Sequence, residues 1–211
     1  MKQGRFLFGI LLLCLWFPTV VLAKPSVLFL SSYTISFDTL PAQLQGIREA
    51  LPPEDFDVDT EFMDTKRFTT QADEQEFHRL LAYKLRQLPR YDAVLLGDDA
   101  ALLFAMRYQQ ELFPDTPMAF FCVNDPELAR TAAQNPQISG VRENMDYDRN
   151  IALIQQILPN TKRIVGISDS TLTGLGDQRQ FWENAAHHPE LEFSLLNPSQ
   201  YTQEELAQKL Q

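Results

Sequence analysis

The chain has 211 residues, with 18 basic and 28 acidic side chains, a formal net charge of −10 and 45% apolar residues. That length suits one large domain or two small lobes, and the apolar share supplies an ordinary core. So acidic a chain is repelled by nucleic acid and by anionic lipid, which argues against both as partners.

Met1 to Ala23 reads as a secretory signal: Lys2 and Arg5 open it, Phe6 to Val21 is apolar apart from Gly9, Pro18 and Thr19, and Val21-Leu22-Ala23 is a small-residue cleavage pattern. An uncleaved anchor is the rival reading, since Phe6 to Ala23 falls just short of the ~20 residues that span a bilayer. Leu13 stands before Cys14 where a lipidation site has a small residue, so no lipid is expected there. The segment holds two basic and no acidic residues, so its removal deepens the net charge to −12 over the remaining 188 residues. Cys122 is then the only cysteine, and no disulfide within the chain is expected despite the export route.

Val27 to Leu30 is a short continuous apolar run, the pattern of a strand covered on both faces. Leu40, Leu44, Ile47 and Leu51 form one helical stripe, with Pro41 in its first turn and Pro52-Pro53 as its stop. Phe56 to Met63 alternates as an edge strand does, and Asp64 to Arg67 is a charged loop. Asp73 with Glu76 marks the start of a helix bearing Phe77, Leu80, Leu81, Leu85 and Leu88, closed by Pro89. Tyr91 to Leu96 is a third strand, followed by Gly97-Asp98-Asp99 and a helix carrying Leu102, Leu103, Met106 and Leu112. Met118 to Val123 is a fourth strand, ending at Asn124-Asp125-Pro126, and Glu127 to Asn135 is a short irregular helix.

This β-α-β-α-β-α-β order specifies a parallel sheet with helices on both faces, its strand-end loops gathered at one edge. Ile138 to Asp148 is expected to cross to a second lobe. There Asp146 caps a helix with Tyr147, Ile151, Ile154 and Leu158, and Arg163 to Ile167 is a strand. Phe181, Trp182 and Ala185 mark a helix, Leu191 to Leu196 a further strand, and Thr202 with Glu205 a capping box. Two parallel strands bury too little to stand alone, so the second lobe is expected to be completed either by another chain or, the preferred reading, by further residues of a longer protein. The division is 1–23 signal, 24–140 first lobe, and 141–211 hinge with partial second lobe.

With these elements placed, the chain resembles the periplasmic-binding-protein-like family related to ABC transporter substrate-binding proteins. More narrowly, it resembles the extracytoplasmic sensor regions of that type found ahead of bacterial histidine kinases and diguanylate cyclases. The resemblance rests on VLFLSSYTISFDTLPAQLQGI from Val27, FMDTKR at Phe62, YDAVLLGDDAALLF at Tyr91, LFPDTPMAFFCVN at Leu112, SGVRENMDYDRNIALIQQILPNTKRIVGISD from Ser139, and STLTG at Ser170. It implies an α/β fold of type I periplasmic-binding-protein-like form, a parallel sheet flanked by helices in two lobes, the second incomplete. It further implies a periplasmic, ligand-binding sensor in two-component or cyclase signal transduction. Its partner would be a downstream kinase or cyclase domain, or an ABC permease if the chain delivers a solute.

Open α/β sheets bind ligands at strand carboxyl ends, which nominates several residues. Ser32 and Tyr33, with Ser31, end the first strand beside a helix start, where hydroxyls and free N–H groups hold a carboxylate or sugar hydroxyl. Tyr33 and Phe37 suit stacking on a ring; Phe37 equally suits packing as a staple on the next helix. Asp98 and Asp99 suit accepting hydrogen bonds from an amine or hydroxyls, or holding a cation. A structural role explains both as well, Asp98 as helix N-cap and Asp99 as a first-turn acid. Asn124 is placed like them, as are Glu143 and Asn144 in the crossover, Glu143 facing the cleft only if Val141 faces the core. Asp169, Ser170 and Thr173 form the facing wall, and Gly174-Leu175-Gly176 is expected as a flexible, tight approach ahead of the next helix.

A sugar or an amino-acid-like ligand fits this set. No cofactor or metal is expected. GxSxG, HExxH and CxxC are absent, the glycines do not match a phosphate-binding loop, and His78, His187 and His188 lack a nucleophile partner in sequence, so no catalysis is expected.

Overall fold

The computed structural model describes residues 23–210, and the signal expected over Met1 to Ala23 lies outside them but for its last residue. β1 (Ser26–Ser31), α1 (Leu40–Ala50), β2 (Asp57–Phe62), α2 (Gln71–Leu85), β3 (Ala93–Gly97), α3 (Asp98–Leu112), β4 (Met118–Val123), α4 (Pro126–Ala132) and β5 (Ile138–Arg142) build the first lobe. α5 (Tyr147–Ile157), β6 (Arg163–Ile167), α6 (Leu172–Ala185), β7 (Glu192–Leu196), a 3-10 turn at Pro198–Gln200 and α7 (Gln203–Lys209) follow. The first sheet has the order β2-β1-β3-β4-β5, and β6 pairs with β7 in a second sheet, every pairing parallel.

The parallel arrangement explains the apolar patterns. In β1, Leu28 and Leu30 join Val94, Leu96, Met118, Phe120 and Ile138 under α2, α3 and α4, while Phe29 turns to the other face to meet Leu40 and Ile47 of α1. A strand covered on both faces has no polar side to show, hence its unbroken apolar run. β2 lies at the sheet edge and alternates in burial, as its sequence does.

Three expectations are corrected. The crossover does not begin at Ile138, because Ile138–Arg142 is a fifth strand paired with β4. The α2 cap is Thr70, whose side chain accepts from the Asp73 N–H while the Asp73 carboxylate accepts from the Thr70 N–H; Glu76 instead pairs with Arg79. Gly174 and Gly176 lie inside α6, which starts at Leu172 with Thr171 as its cap. The Asp146 cap and the Thr202–Glu205 capping box are present as the sequence implies.

Backbone strain gathers at the carboxyl edge of the first sheet. Of the four described non-glycine residues with positive φ, Asp64 (56°) follows β2, Asp98 (79°) follows β3, and Cys122 (56°) lies at the end of β4. The β4–β5 register shifts between Phe120 and Val123, so a bulge there re-aims the chain leaving β4. Gly140 opposite is required, because a Cβ would overlap the Phe120 carbonyl and ring.

Candidate functional site

The strand-end loops of β1, β2 and β3 meet the loop after β6 and the start of α6. Between them lies a cleft of about 450 Å³, within the ~300–1,000 Å³ usual for small-molecule sites. Tyr33, Thr65, Lys66, Phe68 and Phe77 line it from the first lobe, with Asp169, Ser170, Thr171, Thr173 and Ser199 opposite. Tyr33 packs on Phe37 with ring centroids 4.0 Å apart, and the Lys66 ammonium sits 5.4 Å from the Tyr33 ring. Phe68 is 54% exposed, leaving an aromatic face available at the mouth.

Lys66 joins the two walls. Its ammonium donates to Thr171 Oγ1 at 3.2 Å and lies 3.6 Å from Asp169 Oδ2. Asp169 Oδ1 accepts from the Thr171 N–H and hydroxyl at 2.9 and 2.6 Å. Burial opposes ionisation of Asp169, but these bonds and the Lys66 charge outweigh it and hold the carboxyl below its ordinary range.

Deeper in, three oxygens touch one another: Tyr33 Oη to Asp98 Oδ1 at 3.0 Å, Thr173 Oγ1 to Asp98 Oδ1 at 2.8 Å, and Tyr33 Oη to Thr173 Oγ1 at 2.8 Å. Burial chiefly, with the neighbouring Asp99 charge, raises the Asp98 carboxyl to about 6 against the bonds that lower it. The Tyr33 phenol is raised by burial and then by the Asp98 charge. Cys122 is raised to about 11 by burial and the charges of Glu143 and Asp98, so its thiol stays protonated near neutrality.

The remaining nominated residues are placed as follows. Ser32 is fully buried; its hydroxyl donates to Gly97 O at 2.7 Å and accepts from the Ala101 N–H at 2.9 Å, serving the start of α3. Asp98 is therefore not the N-cap of α3: Gly97 holds that position, and the Asp98 carboxylate is free to face the second lobe. Nor is Asp99 merely a first-turn acid, since its carboxylate accepts from the Asn124 and Asp125 N–H groups and ties α3 to the end of β4.

Asn124 belongs to the seam between lobes rather than the cleft lining. Its amide donates to Asp177 Oδ1 at 3.0 Å and its carbonyl accepts from the buried Gln180 Nε2 at 2.6 Å. Arg179 pairs with Asp125 beside them. Val141 is 70% exposed, so the condition under which Glu143 would face the cleft is not met; Glu143 is itself exposed. Asn144 accepts from Arg142 on the surface.

Lys66, Thr65, Phe68 and Thr171 were not nominated from the sequence. The strand-end rule applied to β2 would have found Thr65 and Lys66, since Asp64–Arg67 follows that strand directly, and Phe68 is the next residue. Among the described residues, no group of three His, Cys, Asp or Glu side chains is arranged to hold a metal ion, and no helix is long and apolar enough to cross a membrane.

No protein-family model matches the chain, and no curated protein matches it. Solved structures do. A conserved domain protein from Vibrio cholerae is 16% identical with a TM-score of 0.63, covering 83% of this chain and 57% of its own. A Streptococcus pneumoniae ABC domain in complex with L-Trp is 16% identical with a TM-score of 0.61 and the same coverages. A LacI transcriptional regulator from Lactobacillus brevis is 16% identical with a TM-score of 0.58, covering 88% of this chain and 63% of its own. The chain thus spans about three fifths of the length of these proteins. The fold is α/β, of type I periplasmic-binding-protein-like form, with parallel sheets flanked by helices and a partial second lobe.

Proposed function

We propose that the chain is an extracytoplasmic small-molecule-binding domain that captures its ligand in the inter-lobe cleft and serves as the input part of a signal-transduction protein. The observation that carries this reading is the cleft itself. It has the volume of a small metabolite, one wall from each lobe, and Lys66 bridging the two.

The chemistry of the walls narrows the ligand. Tyr33, Phe68 and Phe77 offer ring faces, seven threonine and serine hydroxyls offer donors and acceptors along the loops, and Lys66 opposes Asp169. A compact ring or side chain bearing several polar groups, an amino acid or a sugar, satisfies such a mixture. The S. pneumoniae structure holds L-Trp, and a solute-binding protein of Actinobacillus succinogenes holds D-allose with a TM-score of 0.50. We assign the cleft binding and no covalent chemistry, since the lining hydroxyls that stand beside a lining carboxylate, Thr171 at Asp169 and Thr70 at Asp73, are engaged as helix caps.

The second reading, a soluble solute-binding protein of an ABC transporter, is favoured by the substrate- and solute-binding proteins among the structures sharing the fold. Membrane partition of the native product separates the two: a heavier, membrane-bound species supports the sensor, and a freely soluble one the transporter component. Binding itself is tested by thermal shift of the full chain against amino acids, monosaccharides and nucleosides. A compound that raises the melting temperature of the parent but not of a Tyr33→Ala/Lys66→Ala variant supports the cleft; no shift across the panel overturns it.

A further inference from the structure

Tyr33, Asp98 and Thr173 present a problem of counting hydrogens. Three oxygens with separations of 3.0, 2.8 and 2.8 Å form three edges, each short enough to need a hydrogen between its ends. Two hydroxyls supply only two. If Asp98 is ionised, both are drawn to its Oδ1 and the Tyr33–Thr173 edge is left as two lone-pair oxygens face to face. A proton on Asp98 Oδ1 completes a ring in which each oxygen donates once and accepts once within the ring, Oδ1 accepting in addition from the Asp99 N–H at 3.1 Å.

We propose that Asp98 is a proton-operated latch between the lobes: closure takes up one proton on Asp98 Oδ1, which supplies the third hydrogen of the Tyr33–Asp98–Thr173 ring, so that acid favours the closed cleft. The inference rests on the reading of the cleft as a ligand site, because access to that cleft is what the latch regulates.

The surroundings agree with it. Tyr33 and Asp98 belong to the first lobe and Thr173 to the first turn of α6, so opening the lobes removes one corner of the ring and admits water to the other two. Asp98 holds φ at 79°, a conformation that only packing on all sides maintains in a non-glycine residue. The Asp99 N–H, 3.1 Å from Oδ1, and the two hydroxyls favour the ionised form, but burial outweighs them and no cation among the described residues faces the carboxylate. On its own helix stands Asp99, from β4 comes the Cys122 thiol, and after β1 the Tyr33 phenol. Asp177 of α6 faces Asp99, and the loop after β6 adds Asp169, whose partner Lys66 lies across the Tyr33 ring. Among the described residues no ammonium or guanidinium bonds to Asp98.

With Asp98 at about 6 in the closed form, and the ordinary carboxylate value of about 3.9 once solvated, the closed form binds the proton more tightly. Its advantage is full below about pH 4 and is lost as pH rises through 6. The closed-to-open ratio can change by at most about 100-fold, the ratio of the two proton affinities.

The test reads the lobes directly in the ligand-free full chain. Dyes are attached through non-natural residues at exposed positions 79 and 183, leaving Cys14 and Cys122 untouched, and inter-lobe energy transfer is followed from pH 8 to pH 5. The parent should show a closed fraction that rises with a midpoint near pH 6, the ratio changing severalfold or more. Asp98→Asn, which carries permanent donor hydrogens, should hold one closed fraction across the range. Thr173→Val, which removes one corner without changing shape, should lower the closed fraction at pH 5. A flat parent profile, or an unchanged pH profile in the Asp98→Asn variant, overturns the latch. A failed ligand screen would sink the binding reading and leave this result standing.

Discussion

Asp99→Ala should be the most damaging single substitution at the seam. Asp99 is 1% exposed, its two oxygens accept from the Asn124 N–H at 3.2 and 3.3 Å, and its Oδ1 accepts from the Asp125 N–H at 2.9 Å. Truncation leaves two N–H groups without an acceptor where water has little access. Each orphaned group costs about 1–3 kcal/mol, giving a gross loss of roughly 2–6 kcal/mol. Relief of the repulsion between Asp99 and Asp98 offsets part of this, so a net loss of about 2–4 kcal/mol is expected. For a chain of this size that lowers the melting temperature by about 5–15 °C. Urea unfolding of the full chain at pH 7 checks it: the midpoint should fall at unchanged slope, with Asp99→Asn, which keeps one acceptor, in between. A loss under about 0.5 kcal/mol would refute the assignment of Asp99 as the tie between α3 and the β4 end.

Gly176→Ala should loosen the lobes while leaving each folded. Its Cβ would lie 3.0 Å from the Asp125 nitrogen and 3.2 Å from the Asn124 carbonyl carbon, forcing α6 off the first lobe at about 1–3 kcal/mol; the energy-transfer pair should show a smaller closed fraction. Thr70→Ala removes a capping box and should cost about 1 kcal/mol in urea without moving that closed fraction. Asp98→Asn should gain stability over the parent between pH 5 and pH 8. A carboxyl raised on folding stabilises fully below its unfolded value and loses that contribution as pH rises through about 6, whereas the amide does not titrate. The gain is about 1.4 kcal/mol, the roughly tenfold part of the proton-affinity ratio that falls between the two pH values, read as the difference between paired urea melts.

Much of the fold is legible in the chain because parallel strands covered on both faces leave unbroken apolar runs, as in Val27 to Leu30, and prolines punctuate the helices between them. β5 was missed for a physical reason. Only Ile138 is buried in it, and Gly140 is there to admit the Phe120 carbonyl and ring, a demand set by the neighbouring strand and invisible locally. The site was legible at the level of strand ends and not at the level of roles. Asp98 reads as a cap because an acid before a helix ordinarily is one. In the fold, Ser32, 69 residues upstream of Ala101, accepts that first-turn N–H and leaves Asp98 to meet Thr173. The same long-range logic hides Asn124, whose partners Asp177 and Gln180 come from the other lobe.

The measurement that bears most directly on the central claim is mass spectrometry of small molecules released on denaturing the full chain purified from its native host, beside a Tyr33→Ala/Lys66→Ala variant prepared identically. The account predicts one polar metabolite at near-stoichiometric amount in the parent, lost from the variant and restoring the thermal shift when added back. Equal recovery of that metabolite from both proteins, or none from the parent together with no shift across amino acids, sugars and nucleosides, would contradict it.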